Sequence, residues 1–165
     1  MAKGILPGFA KVFKLFMFNI EMKETQEVEL KKSLSDIDAI MQTIVAFANT
    51  GGGSLYLGVD DKGNTVGIDI GNNTIENIAT RISREIKPPI TPKIRMEKKD
   101  EKEIVVIEIK ESLTKPHFYR NIGYKRVGKS NIQLEPQGIE NLIKERSIFS
   151  FEDEKTLATI DDVDL

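Results

Sequence analysis

The sequence has no cysteine and no tryptophan, and its 165 residues include a single histidine. Without cysteine there is no disulfide, no thiolate nucleophile and no Cys-ligated zinc, and one histidine excludes a multi-histidine metal centre. The absence of disulfides fits a cytoplasmic location. No apolar run is long enough to span a bilayer. A dominant charge is missing too: 24 Lys+Arg against 26 Asp+Glu leave a formal net charge of −2, which gives no overall signature of nucleic-acid binding. Chemistry must therefore come from carboxylates, Lys and Arg, hydroxyls and backbone groups. With 39% hydrophobic and 30% charged residues in 18.6 kDa, the composition is that of one soluble globular domain.

The two ends differ from the middle. Residues 1–18 hold four of the eight Phe, and Phe9, Val12, Phe13 and Phe16 recur at helical spacing opposite Lys11 and Lys14. This predicts an amphipathic helix or leader, packed on its own domain or a second copy rather than on a membrane. Residues 151–165 form an acidic tail or linker, with six acids and one Lys from Glu152 onward. The domain proper is expected over residues 19–150.

Within it, Val28 and Leu30 alternate with Glu27, Glu29 and Lys31, predicting a strand whose acids lie on the polar face. Ser35 and Asp38 resemble a capping box before the stripe Ile37, Ile40, Met41, Ile44, Val45 and Ala48, and Gly51-Gly52-Gly53 ends that helix. A hairpin is expected from Leu55–Val59 through Asp61-Lys62-Gly63-Asn64 into Thr65–Ile68. A second helix should start near Thr74 and stop at Pro88-Pro89. Ile94–Met96 should pair with Ile104–Ile109, a further strand pair should cross Phe118–Arg126, and a last helix should begin at Pro136. The order predicts an α+β domain: a two-layer mixed β-sheet with helices mainly on one face.

Three features could carry chemistry. The glycine triplet follows a helix and enters a strand, the reverse of the order a phosphate loop needs, so capping and close packing are expected and no nucleotide site. The interval Ser112–Leu134 contains no acid but carries Lys115, Arg120, Lys125, Arg126 and Lys129, interleaved with Phe118, Tyr119 and Tyr124 and with His117. Cations that neutralise phosphates beside rings that stack on bases would suit nucleic acid; a strand with a solvated basic face reads equally well. Glu24, Glu29, Asp60 and Asp61 are the acids that could hold a hard divalent ion if the fold brings them together, and are otherwise surface acids and turn formers.

Four segments occur in order: Glu24-x4-Glu29-Leu30-Lys31-x-Ser33, Ala46-Phe47-Ala48-Asn49-Thr50-Gly51-Gly52-Gly53, Leu57-Gly58-Val59-Asp60-Asp61-x-Gly63 and Tyr124-Lys125-Arg126-Val127-Gly128. Together, over about residues 22–146, they resemble the Schlafen-type, Alba-like domain, with Leu30 where that family usually has an aromatic. The resemblance implies a nucleic-acid-binding (DNA or RNA) domain of a transcriptional regulator or defence protein, often followed by a further C-terminal domain. It equally resembles half of the animal Schlafen core, which cleaves transfer RNA. Carried across, that metal-dependent triad would be Glu24, Glu29 and Asp61 holding Mg²⁺ or Mn²⁺, with Lys31 beside it. Two readings follow. The favoured one is a binding module using Lys115, His117, Arg120, Tyr124, Lys125, Arg126 and Lys129, with a homodimer doubling a small contact surface. The alternative is a Mg²⁺- or Mn²⁺-dependent endoribonuclease acting on structured RNA.

Overall fold

A computed structural model describes residues 22–69, 71 and 73–146. The expected leader over residues 1–18 and the acidic tail over 151–165 lie outside the described residues. The elements run β1 (Val28–Lys31), α1 (Ile37–Asn49), β2 (Gly53–Leu57), α2 (Thr74–Glu85), β3 (Ile86–Lys87), β4 (Lys93–Lys99), β5 (Lys102–Ile109), β6 (Phe118–Tyr119), β7 (Ile122–Val127), β8 (Ser130–Gln133) and α3 over residues 136–146. The fold is α+β, as the element order predicts. The strands divide into two four-stranded sheets, β1-β2-β5-β4 and β3-β6-β7-β8. In the first, β1 and β2 are parallel with α1 as their crossover, and β2, β5 and β4 are antiparallel.

Helix α1 touches strands of both sheets, which is why it is apolar nearly all round: Ile40, Met41, Ile44, Val45, Ala46, Phe47 and Ala48 are fully buried. Its main core includes Leu55, Leu57, Val105 and Ile107 of the first sheet, Ile78 and Ile82 of α2, and Tyr119 of the second sheet. The opposite face of the first sheet builds a smaller cluster of Leu30, Val59, Ile104 and Val106, against which Met22, Val28 and Tyr56 pack. Strand β1 is therefore buried on both faces. Glu29 pairs in register with Leu55, so the face expected to be polar looks toward the main core, and Glu29 is 5% exposed.

Local differences from the sequence reading have physical causes. The α1 N-cap is Asp36, whose carboxylate accepts the Ala39 N–H at 3.1 Å. Ser35 instead shares a hydroxyl hydrogen bond with Ser33, and Asp38 turns toward the second sheet. Thr65–Ile68 does not extend a hairpin: a single bridge joins Val59 to Thr65, after which Val66 and Gly67 both donate to the Gly58 carbonyl. Strands β3 and β8 were not anticipated, being two and four residues long. The helix stop at the prolines is close: α2 ends at Glu85, and Ile86 enters β3 opposite Tyr119. The β4–β5 turn is made by Asp100 and Glu101, both with positive φ (50° and 60°), the conformation that a two-residue hairpin loop requires. No described helix is long and apolar enough to cross a membrane.

Candidate nucleic-acid interface

The C-terminal end of α1 organises the second sheet. Asn49 is buried; its amide donates to the carbonyls of His117 (2.9 Å) and Tyr124 (3.0 Å), and its oxygen accepts the His117 N–H at 2.7 Å. Thr50 Oγ1 accepts the Arg126 N–H at 3.0 Å. Gly52 (φ +79°) allows the chain to leave the helix: a Cβ there would lie 2.7 Å from the Ile109 carbonyl oxygen, and one on Gly53 would meet the Phe47 ring. Gly52 and Gly53 thus serve close packing, as their position after a helix suggests, while Gly51 stands exposed.

Arg126 is held by this frame. Its guanidinium stacks over Phe47, 5.2 Å from the ring centroid, and donates to Asn131 Oδ1 at 2.9 Å and to the carbonyls of Thr25 (3.0 Å) and Val28 (3.3 Å). Nη2 lies 2.7 Å from Glu29 Oε2, and Lys31 Nζ lies 2.7 Å from Glu29 Oε1. The Arg126 contact is an ion pair without directed hydrogen-bond geometry, since Oε2 has no qualifying donor. Two cations on one inward-facing carboxylate are what burying that charge requires.

The seven residues singled out for nucleic acid separate into two groups. Arg126, Lys115 and His117 are 2%, 5% and 1% exposed, which corrects their assignment to a contact surface. Strand alternation turns Arg126 inward. Lys115 is clamped by Glu111 (2.6 Å) and Glu145 of α3 (2.9 Å); burial lowers its pKa, but the two carboxylates outweigh that and raise it above the ordinary value. His117 is hydrogen-bonded to the Pro88 carbonyl and Ser112. Tyr124 is half-buried and packs against the main core. Arg120 is exposed in the β6–β7 turn, stacks on the Tyr119 ring at 5.0 Å and pairs with Asp38 at 3.0 Å. The Tyr119 hydroxyl donates to the same carboxylate at 2.6 Å and, with Arg120, holds Asp38 below its usual pKa. Lys125 and Lys129 remain exposed on the β7–β8 hairpin, with no ion-pair partner among the described residues. Lys125 also lines a cleft of about 300 Å³ with Thr50, Gly51, Lys115, Asn141 and Glu145.

The acidic set is arranged differently from a metal centre. Glu24 Oε1 accepts the Leu30 N–H at 3.4 Å. Asp60 forms its turn, accepting from Lys62 N and from Asn64 N and Nδ2, contacts that hold its pKa below the ordinary value, those from Asn64 foremost. Asp61 is exposed on that turn. The Met22 backbone packs against Gly63, so the segment leading to Glu24 runs beside the turn. Even so, among the described residues no three acidic or histidine side chains group closely enough to hold a metal ion. With both Glu29 oxygens facing cations, the residues as arranged do not fit a resident Mg²⁺ or Mn²⁺.

Two sheets joined through one buried helix, with that helix's C-terminal motif fastened to a distant hairpin, define an α+β domain of AlbA-like architecture. The chain belongs to the Schlafen, AlbA_2 family, which it matches over residues 24–135. Among solved structures it is similar to the DIP2311 protein of Corynebacterium diphtheriae (TM-score 0.59, 18% identity), a match covering 77% of this chain and 26% of that one. The chain therefore spans about a quarter of DIP2311's length, and that likeness shows the fold alone. It is also similar to the N-terminal domain of a protein from Nitrosomonas europaea described as related to the ATP-dependent DNA helicase RecG (TM-score 0.53, 27% identity), covering 73% of this chain and 90% of that domain. No curated protein matches the chain.

Proposed function

We propose that this domain binds nucleic acid through the outer face of the β7–β8 hairpin. The observation that carries the reading is the pair Lys125 and Lys129, exposed within an acid-free stretch of 23 residues and free of ion partners among the described residues. Cations not already neutralised by the protein can displace the counterions of a phosphate backbone. Arg120 adds charge at the neighbouring turn, moderated by Asp38. Membership of the Schlafen, AlbA_2 family and likeness to a domain of a RecG-related protein support the same reading. The domain acts as the binding module of a regulator or defence protein, and a homodimer presenting two hairpins doubles the contact surface. Metal-dependent cleavage of RNA is not favoured by any observation, because Glu29 is already neutralised by Lys31 and Arg126.

Fluorescence anisotropy with labelled single-stranded and duplex DNA and RNA, repeated over a salt series, tests the proposal. Lys125→Glu with Lys129→Glu should weaken binding to all ligands and reduce the slope of log affinity against log salt by roughly two. An unchanged affinity and slope would place the contact surface elsewhere.

A further inference from the structure

The segment between β5 and β6 sets the only imidazole of the chain against a hydroxyl. His117 Nδ1 lies 2.7 Å from the Pro88 carbonyl oxygen, and Nε2 lies 2.6 Å from Ser112 Oγ. A carbonyl can only accept, so the proton of the neutral ring is on Nδ1. Nε2 is then a bare lone pair, and the Ser112 hydroxyl donates to it. Each part is fixed independently. Ser112 Oγ accepts the Thr114 N–H at 3.1 Å and also lies 3.1 Å from Thr114 Oγ1; with the shorter contact going to a bare ring nitrogen, the Ser112 proton points to the ring and the Thr114 hydroxyl donates to Ser112. Ser112 N donates to the Ala48 carbonyl at 2.9 Å, and Asn49 Oδ1 accepts the His117 N–H.

The two side chains also sit in different surroundings. The imidazole is buried, and that burial, against a smaller opposing effect of the Pro88 carbonyl, lowers its pKa and keeps it an unprotonated base at neutral pH. Ser112 is half-buried and lines a cavity of about 570 Å³, with Ser54, Ile90, Thr91, Lys93 and Ile109 on its walls. A hydroxyl bonded to a bare imidazole nitrogen, a fixed acceptor orienting the far side of that ring, and room for a reactant at the oxygen are the parts of an activated nucleophile. Here a backbone carbonyl stands where a triad has a carboxylate.

We propose that Ser112, with His117 as its base, is a nucleophile that cleaves small carboxylic esters bound in this cavity. Ser112 Oγ forms a bond to the ester carbonyl carbon as its proton passes to His117 Nε2. The carbon–oxygen bond to the leaving alcohol breaks, and the alcohol takes that proton. Water, deprotonated by the same nitrogen, then releases the acid and restores the hydroxyl. Ile90, half-buried on the wall, offers the acyl chain an apolar contact beside the charged Lys93, Glu108, Lys110 and Glu111. The site uses neither Lys125 nor Lys129 and stands apart from the nucleic-acid reading.

The test is a fluorophosphonate probe on the full chain, in which the Oγ–P bond forms, the P–F bond breaks and fluoride leaves. Intact mass and peptide mapping should show one adduct, at Ser112, absent from Ser112→Ala. Hydrolysis of p-nitrophenyl acetate should fall about 10²-fold in that variant. Because His117→Gln alters a buried network and can fail to fold, Ser112→Cys supplies the second measurement. Its alkylation by iodoacetamide at pH 7 should exceed that of Ser130→Cys, on the exposed β8 strand, by about tenfold, reflecting a thiol deprotonated by the neighbouring base. No adduct at Ser112, together with an alkylation rate no higher than that of Ser130→Cys, would overturn the proposal and leave the pair a purely structural hydrogen bond.

Discussion

Arg126 meets Glu29 at 2.7 Å in the interior, joining β7 of the second sheet to β1 of the first. Each explains the other. Glu29 sits on the inner face of β1 because its neighbours Val28 and Leu30 belong to the smaller core on the far side, and an inward carboxylate needs a buried cation. Arg126 is inward because Lys125 and Val127 take the outer positions of β7. Phe47, Asn49 and Thr50 complete the enclosure. The segments that resemble the family, the first glutamates, Ala46–Gly53 and Tyr124–Gly128, are therefore parts of one interlock rather than separate sites.

Removing one member of this pair leaves the other charge buried without its partner. Arg126→Ala and Glu29→Ala should each destabilise the fold by about 3–5 kcal/mol. The double variant Glu29→Leu with Arg126→Met should lose distinctly less than the sum of the single losses, because it buries no unpaired charge. Urea midpoints for the three proteins check this. Additive losses would mean that the two residues do not act as a pair.

Asn49 offers a separate test of the same junction. Its amide nitrogen donates to two carbonyls at once. Asn49→Ala should cost about 2–4 kcal/mol, the desolvated His117 and Tyr124 carbonyls losing their donor. Asn49→Asp should cost more, since it sets a carboxylate oxygen against those two carbonyls. Denaturant unfolding gives the order directly, and a variant Asn49→Asp as stable as Asn49→Ala would contradict the hydrogen-bond assignment.

Much of the fold is legible in the residues. The α1 stripe, the Ile94–Met96 and Ile104–Ile109 pairing, the end of α2 before Pro88 and the start of α3 at 136 follow from periodicity and from the chemistry of proline and glycine. The candidate interface is less so. Counting cations over 112–134 ignores the parity of β7, which places Lys125 outside and Arg126 inside; reading Arg126 in step with the aromatic Tyr124 two residues earlier would have flagged it. Lys115 and His117 lie in a connection with no periodicity, and their burial depends on Glu145 and Pro88, partners that only the tertiary fold supplies. Glu29 was legible as a strand residue, but a strand covered on both faces cannot be told from a half-exposed one when its second covering is remote in sequence.

His117 gives the fold a pH dependence of defined sign. Burial depresses its pKa in the folded state below the ordinary 6.5. Above 6.5 neither state binds the proton and the network contributes fully. As pH falls below 6.5, the unfolded chain takes up a proton that the folded chain refuses, so stability declines until the lower folded pKa is reached. One proton sets a limiting slope of about 1.4 kcal/mol per pH unit. Urea unfolding at pH 7.5, 6.5 and 5.5 should show this decline in the wild type. A wild-type stability that stays constant or rises as the pH falls over this interval would show that the folded protein takes up the proton at least as readily as the unfolded chain.

The neutralised state of Glu29 also predicts how the protein answers divalent ions. A metal ligated by both oxygens of Glu29 must displace Lys31 and Arg126, and the latter is only 2% exposed. The gain on ligation is offset by a guanidinium left unpaired in the interior, so binding through Glu29 is suppressed. Millimolar Mg²⁺ or Mn²⁺ should therefore leave the melting temperature within the shift produced by NaCl of equal ionic strength, and EDTA should not lower it. Replacing the competitor should change the answer: Arg126→Met frees Glu29 Oε2, and this variant should recover part of its lost stability when Mn²⁺ is added. A clear metal-dependent rise in the wild type, scaling as RT ln(1 + [Mn²⁺]/Kd) and lost in Glu29→Gln, would show instead that the carboxylate exchanges its two cations for a metal.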